Sequence, residues 1–320
     1  MTTILLTEST CLPADSFAAT VGFFDGVHRG HRFLMGQLRD LAVARGLKTM
    51  AVTFSRHPRS VVQPQWEPNL LSSQEEKELL LSQTGIDVLV VLPFDKQMAC
   101  LTAHDFMERV LSRQLGVSLL LTGYDNHFGS RTDGCCEGFD DYVAYGRELG
   151  IEVVAGKPLV LGTRAVSSSL VRHLLAEGRV EEAADSLGRY YELEGTVEHG
   201  EQQGRKMGFP TANLHLTDSR RVMPASGVYA VSVSVDGENN QRVGMTNIGT
   251  RPTFGGDHLT IETNIIHFNG DLYQRHLRIA FLARLRDEQF FAESNELARQ
   301  MAADANEAQL IFNNRKRDRQ

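Results

Sequence analysis

The sequence predicts two domains in series: an α/β domain with a doubly wound parallel sheet, then an antiparallel β domain, barrel or sandwich. Three observations predict this. The 320 residues exceed what one hydrophobic core ordinarily serves. The first half alternates short, strongly apolar runs with helical patterns, the rhythm of strands buried on both faces of a parallel sheet. Past about residue 188 strand-like runs follow one another with no helix between them, which a parallel sheet does not allow.

The first strand is expected at residues 18–23 and the first helix at 30–44, where Leu34, Leu38 and Leu41 share one face. Further strands are expected at 50–54, 86–92, 117–121 and 151–154, with a helix opening at Thr102, where Asp105 three residues on approximates a capping box. After a helical junction at 180–187, strands are expected at 192–199, 228–235, 242–248, 259–268 and 277–283. Turn signals stand at Asp236-Gly237 and Asn269-Gly270. Only residues 294–311 read as a long helix in this half, and the domain boundary is expected at 185–190.

A composition of 42% hydrophobic and 23% charged residues belongs to a globular chain. A net charge of −7 gives no pull toward a phosphate backbone, so nucleic acid is not an expected partner. The run Arg315, Lys316, Arg317, Arg319 reads as a solvated tail. No stretch approaches the roughly 20 apolar residues of a spanning helix and no basic flank precedes an apolar N-terminal core, so the cytoplasm is the expected compartment. Cys11, Cys100, Cys135 and Cys136 lack the spacing of a metal site and read as reduced thiols.

Residues 22–31, Gly-Phe-Phe-Asp-Gly-Val-His-Arg-Gly-His, join the first expected strand to the first helix. Open α/β sheets place phosphate ligands there, against helix N-terminal amides. Gly22, Gly26 and Gly30 let backbone approach a ligand, and His28 and His31 are spaced to donate to one phosphate as charge accumulates. A tight turn with two incidental histidines would account for any one of these features, but not for all at this junction. The segment resembles the GxFDGxHxGH signature of the nucleotidyltransferase superfamily, in the form found in prokaryotic bifunctional riboflavin kinase/FMN adenylyltransferases. The resemblance continues through residues 53–58, 123–129 and 167–172.

In the second half, residues 204–214 read Gly-Arg-Lys-Met-Gly-Phe-Pro-Thr-Ala-Asn-Leu. By composition this is an ordinary barrel loop. It resembles the riboflavin kinase signature GRxLGFPTAN, with Met207 in place of leucine, and matches recur at 195–200, 227–229, 247–254, 261–262, 271–273 and 284–288.

The resemblance implies a Rossmann-like nucleotidyltransferase domain over residues 1–187 and a barrel riboflavin kinase domain over 188–320. Riboflavin would be phosphorylated to FMN, and FMN adenylylated to FAD, with ATP and Mg2+ in use. Glu262 would be the base of the kinase, and Thr211 and Asn213 would hold magnesium. His28 and His31 would serve adenylyl transfer, with Gly22, Phe24, Asp25, Gly30, Ser168, Ser169 and Arg172 around ATP. Gly204, Arg205, Gly208, Pro210, Thr211 and Asn213 would bind the second nucleotide, and His57, Asp125, Phe128, Arg286 and Glu288 the flavins. Two departures from the family pattern are His127, where arginine is common, and Asn264, where histidine is common, a change expected to be tolerated. Cys135 and Cys136 have no assigned role. Other readings are a half that binds flavin without catalysis, and a barrel that binds oligonucleotides, against which the acidic balance and the lack of a basic-aromatic stripe speak. Oligomeric state is left open.

Overall fold

A computed structural model describes residues 1–13, 17–124, 128–129, 137–199, 209–238, 240–253, 256–291 and 293–317. Two compact units divide the chain, Met1–Ser168 and Ser169–Gln320.

The first unit is built on a six-stranded parallel sheet in the order β1-β4-β3-β2-β5-β6. The strands are β1 (Thr2–Leu5), β2 (Phe17–Val21), β3 (Lys48–Phe54), β4 (Val88–Leu92), β5 (Val117–Thr122) and β6 (Glu152–Ala155). Alternate residues of the central strands feed two separate cores. Ala18, Ala51, Leu89 and Leu119 pack with Leu34, Leu38, Leu80 and Leu81 of helices α1 (Arg29–Arg45) and α3 (Gln74–Ser82). Ala19, Val52, Val90 and Leu120 pack on the other face with Phe106 and Tyr142, the latter from α6 (Phe139–Leu149). Burial on both faces explains why these strands are apolar throughout.

Short helices α2 (Pro58–Val62), α4 (Lys96–Ala99) and α5 (Ala103–Asp105) punctuate the connections, α5 capped by Thr102 as the sequence predicts. β1 was not expected. Among the described residues it pairs with β4 alone and stays largely exposed, so its residues lack the apolar signature of the interior strands. A two-stranded pair, β7 (Val160–Leu161) and β8 (Arg164–Ala165), precedes α7 (Ser168–Ala176) and α8 (Val180–Leu187).

The second unit closes a six-stranded antiparallel barrel in the order β10-β13-β12-β11-β14-β9. Its strands are β9 (Glu192–Glu198), β10 (Ala212–Leu216), β11 (Gly227–Val235), β12 (Arg242–Thr253), β13 (Gly256–Ile265) and β14 (His276–Arg286). A helix, α9 (Ser294–Arg317), lays Ala308 and Phe312 against Ala230, Val243, Met245 and Leu282 of the barrel. It runs past the expected end, and Arg315 is not a solvated tail residue. Its guanidinium lies over the Tyr190 ring, 5.5 Å from the centroid, with a long 3.5 Å contact to Leu282 O.

The compact division precedes the boundary expected at 185–190, because the segment carrying α7 and α8 packs on the barrel. Arg284 Nη1 donates to Glu177 O at 3.0 Å, and Ala225 N–H to Leu175 O at 2.9 Å.

Candidate functional site

The turn after β2 is strained. Phe24, Gly26 and Val27 take φ values of 53°, 73° and 37°, a region costly for a β-branched residue. Asp25 holds it: the buried carboxylate accepts from the backbone N–H groups of Leu71 (3.0 Å) and Ser72 (3.2 Å), while Gly26 N–H donates to Ser72 Oγ (3.0 Å). Asp25 therefore anchors the turn. Both carboxylate oxygens meet backbone amides, an anchoring role that the sequence did not assign to it.

Two of the glycines also have packing reasons. A Cβ on Gly22 would come 2.8 Å from the Phe24 ring, and one on Gly30 would come 2.7 Å from Val166 O. Ser168, opening α7, donates its hydroxyl to Asp25 O at 3.0 Å. Ser169 and Arg172 follow on α7 in the second unit, the serine exposed and the arginine half-buried.

His28 is the N-cap of α1, its Nδ1 accepting from His31 N–H at 3.3 Å, and the two imidazoles stack with centroids 3.6 Å apart. An accepting Nδ1 carries no proton, so neutral His28 bears its hydrogen on Nε2. His31 Nδ1 is buried without a hydrogen-bond partner among the described residues, which costs less as a bare lone pair than as an N–H, so His31 takes the same tautomer. Burial first, then His28 and Lys77, push the His31 pKa well below the usual imidazole value. His31 is thus a neutral ring at neutral pH, with an Nε2–H to donate.

Nearby, His57 caps α2 through Nδ1 and packs against Phe23 and Trp66 with centroids 4.7 and 4.6 Å away. Phe128 stacks on Tyr142 at 4.3 Å and exchanges backbone hydrogen bonds with its hydroxyl, so it is joined to the core. Asp125, His127, Cys135 and Cys136 lie outside the described residues.

In the barrel, Asn213 on β10, Glu262 on β13 and Asn247 on β12 are successive cross-strand partners. Directly opposed side chains share a face, so Glu262 stands between two amides. Thr211 Oγ1 donates to Glu262 Oε2 at 3.4 Å. Thr211 is also where two cavities meet. One, of about 470 Å³, lies between the outer barrel face and α9, with Met245, Asn247, Glu262, Glu288, Leu297 and Met301 in its walls. The other, of about 690 Å³, is lined by Pro210, Thr211, Thr263, Phe268, Asp271 and Tyr273. Both fall in the size range of small-ligand pockets.

Arg286 lines the first cavity, but its guanidinium is held by buried Asp304 at 2.8 Å and by Asp287 O at 3.0 Å. These partners fix the guanidinium in the cavity wall. Glu288 accepts from Asn247 Nδ2 at 3.3 Å, packed so close over Gly249 that a Cβ there would clash with Oε1. Asn264 is buried and donates to Pro210 O at 2.8 Å, tying β13 to the loop before β10. Gly204, Arg205 and Gly208 lie outside the described residues. The oxygen set of Thr211, Asn213 and Glu262 suits a hard cation, the threonine hydroxyl keeping lone pairs while it donates.

A riboflavin kinase family matches residues 187–312 and a FAD synthetase family residues 13–170. The bifunctional riboflavin kinase/FMN adenylyltransferase of Escherichia coli is 35% identical over 303 residues, 94% of each chain. The chain belongs to the bifunctional riboflavin kinase/FMN adenylyltransferase family.

The Bacillus subtilis member of this family is 34% identical over 98% of this chain and 99% of its own. A solved structure described as a macrolide-efflux protein from Streptococcus pneumoniae aligns with a TM-score of 0.84 at 31% identity, covering 97% of this chain and 99% of that one. No helix among the described residues is long and apolar enough to cross a membrane. As in the family, the adenylyltransferase part precedes the kinase part, and 171–186, which hold most of α7 and α8, fall between the two matched regions.

The sequence did not single out Lys77, Asn247 or Asp304 as site residues. Lys77 carried a usable signal, since it stands three and four residues before Leu80 and Leu81 on the buried side of α3. Asp304, which meets Arg286 only through the docking of α9, carried none.

Proposed function

We propose that the chain makes FAD from riboflavin in two ATP-consuming steps, phosphorylation in the barrel and adenylyl transfer in the α/β unit. Thr211, standing at the junction of two cavities with Glu262 beside it, is the observation that carries the kinase step. A kinase must bring donor and acceptor together at one oxygen. Riboflavin is assigned to the cavity under α9 and ATP to the other. The terminal ribityl hydroxyl attacks the γ-phosphorus of ATP, its proton passes to the Glu262 carboxylate, and ADP leaves. Thr211 and Asn213 are the residues that would hold Mg2+, which when bound neutralises charge on the phosphate oxygens.

Adenylyl transfer needs no base, because the attacking FMN phosphate is already an anion. Its oxygen attacks the α-phosphorus of ATP and pyrophosphate departs. The Nε2–H groups of His28 and His31, with the N-terminus of α1, supply donors where negative charge gathers. With ATP a substrate of both steps, the cytoplasm is the proposed compartment.

The test is to incubate purified protein with riboflavin, ATP and magnesium and to resolve the flavins. FMN and FAD are both expected; FMN alone would remove the transferase half, and neither product would remove both.

A further inference from the structure

Lys77 projects from α3 into the end of the sheet where β2 and β3 deliver Phe23 and Phe54. It is 2% exposed, a rare state for lysine. Its ammonium donates to Phe54 O at 3.1 Å and lies 4.2 Å from the centre of the Phe23 ring, a cation–π contact. One carbonyl and one ring face are thin compensation for burying a charge with three donors. A chain that needed only packing here would do better with methionine or leucine.

The surroundings show what the charge acts on. Asp25 of the anchored turn and Glu78 of α3 favour the ammonium, while His31 of α1, stacked on His28, feels it as a repulsive charge. Among the described residues β3 contributes the Phe54 carbonyl and the turn after β2 the Phe23 ring. Lys77 thus stands against Phe23, at the start of the turn that leads to the imidazole pair, on the side of the sheet's C-terminal crevice.

We propose that Lys77 is a positioning residue of adenylyl transfer, a fixed buried cation against the Phe54 carbonyl and the Phe23 ring that makes the floor of the phosphate turn electropositive. This rests on the assignment of adenylyl transfer to the α/β unit. In support, burial lowers the Lys77 pKa to about 8, against the raising effects of Asp25 and Glu78, so the ammonium is lost in a range an assay can reach. Between that value and the ordinary lysine pKa the unfolded chain binds a proton that the folded one does not. Stability from this group is therefore full above the ordinary value and falls as pH drops toward about 8, which means that the charge opposes folding at neutral pH.

The experiment measures FAD formation from supplied FMN across the pH range, with thermal unfolding, for the wild type, Lys77→Met and Lys77→Arg. In Lys77→Met the kcat should fall roughly ten-fold or more, the KM for FMN should move less, and the alkaline limb near pH 8 should vanish. The acid limb should move upward as His31 loses a repulsive neighbour, and the unfolding midpoint should not fall. Lys77→Arg should restore most of the kcat and carry the alkaline limb to higher pH. Riboflavin phosphorylation by the same preparations should not change. A Lys77→Met protein with the wild-type rate and pH profile would overturn the proposal. So would a rate that falls together with the unfolding midpoint and is not recovered by arginine, since that is a packing role. FAD formation by the wild type establishes the underlying assignment independently, so a silent Lys77→Met counts against this inference alone.

Discussion

Glu262 is flanked on both neighbouring strands by an amide side chain, Asn213 and Asn247, and receives the Thr211 hydroxyl. Glutamine at this position keeps the volume and an acceptor oxygen but takes up no proton. Glu262→Gln should lower FMN formation by roughly 10²–10⁴ while FAD formation from supplied FMN stays intact; equal loss of both in a folded variant would remove the assigned role. His31 carries a pH consequence of its own. Its folded pKa lies well below the ordinary imidazole value, so in between the unfolded chain holds a proton that the native ring refuses. Stability from this group is full above about pH 6.5 and declines as pH falls below it. Denaturant midpoints of His31→Gln should therefore change less than those of the wild type from neutral pH down to about 5; parallel curves would contradict it. At this scale the sequence was legible where spacing brings residues together, as with His28 and His31, whose rings stack at the start of α1. It was silent where a residue serves its own backbone: Asp25 accepts from the amides of Leu71 and Ser72, and a Cβ on Gly30 would come 2.7 Å from Val166 O.

Among the elements, those with a strong period were legible, and those defined by their neighbours were not. α1 shows its apolar stripe in Leu34 and Leu38, and the interior strands show theirs in unbroken apolar runs. β10 begins inside a motif that reads as a loop, and it becomes a strand only because β9 and β13 pair with it. α9 likewise owes its function to docking. The Arg286–Asp304 pair, both members largely buried, joins the end of β14 to this helix along the wall of the first cavity. Asp304→Ala would leave a guanidinium buried without its carboxylate, a loss of about 3 kcal/mol or more. The expected outcome is a lower unfolding midpoint and a raised KM for riboflavin, with the KM for FMN in adenylyl transfer unchanged. An unaltered riboflavin KM would mean that α9 does not shape that pocket.

Across the whole molecule, the change from alternating helices and strands to strands in succession was enough to separate two architectures before any contact was known. The position of the division was less legible, because α7 and α8 read as helices that either neighbour would accept, and only contacts such as Arg284 to Glu177 O decide for the barrel. Each unit has its own core, and Thr211 and Glu262 lie within the second, His28 and His31 within the first. Substitutions in separate cores with no shared partner act independently. Independence has a direct consequence for flux. His28→Ala should retain riboflavin phosphorylation and lose adenylyl transfer, and Glu262→Gln the reverse. Neither variant alone should convert riboflavin to FAD, but a mixture of the two should, because FMN made on one molecule can be released and taken up by another. FAD should accumulate after a lag set by the build-up of free FMN, and the lag should shorten as total protein rises. Should the mixture make FMN but no FAD while Glu262→Gln still adenylylates supplied FMN, the product of the barrel would have to remain on its own chain, and the two units would not work as independent enzymes.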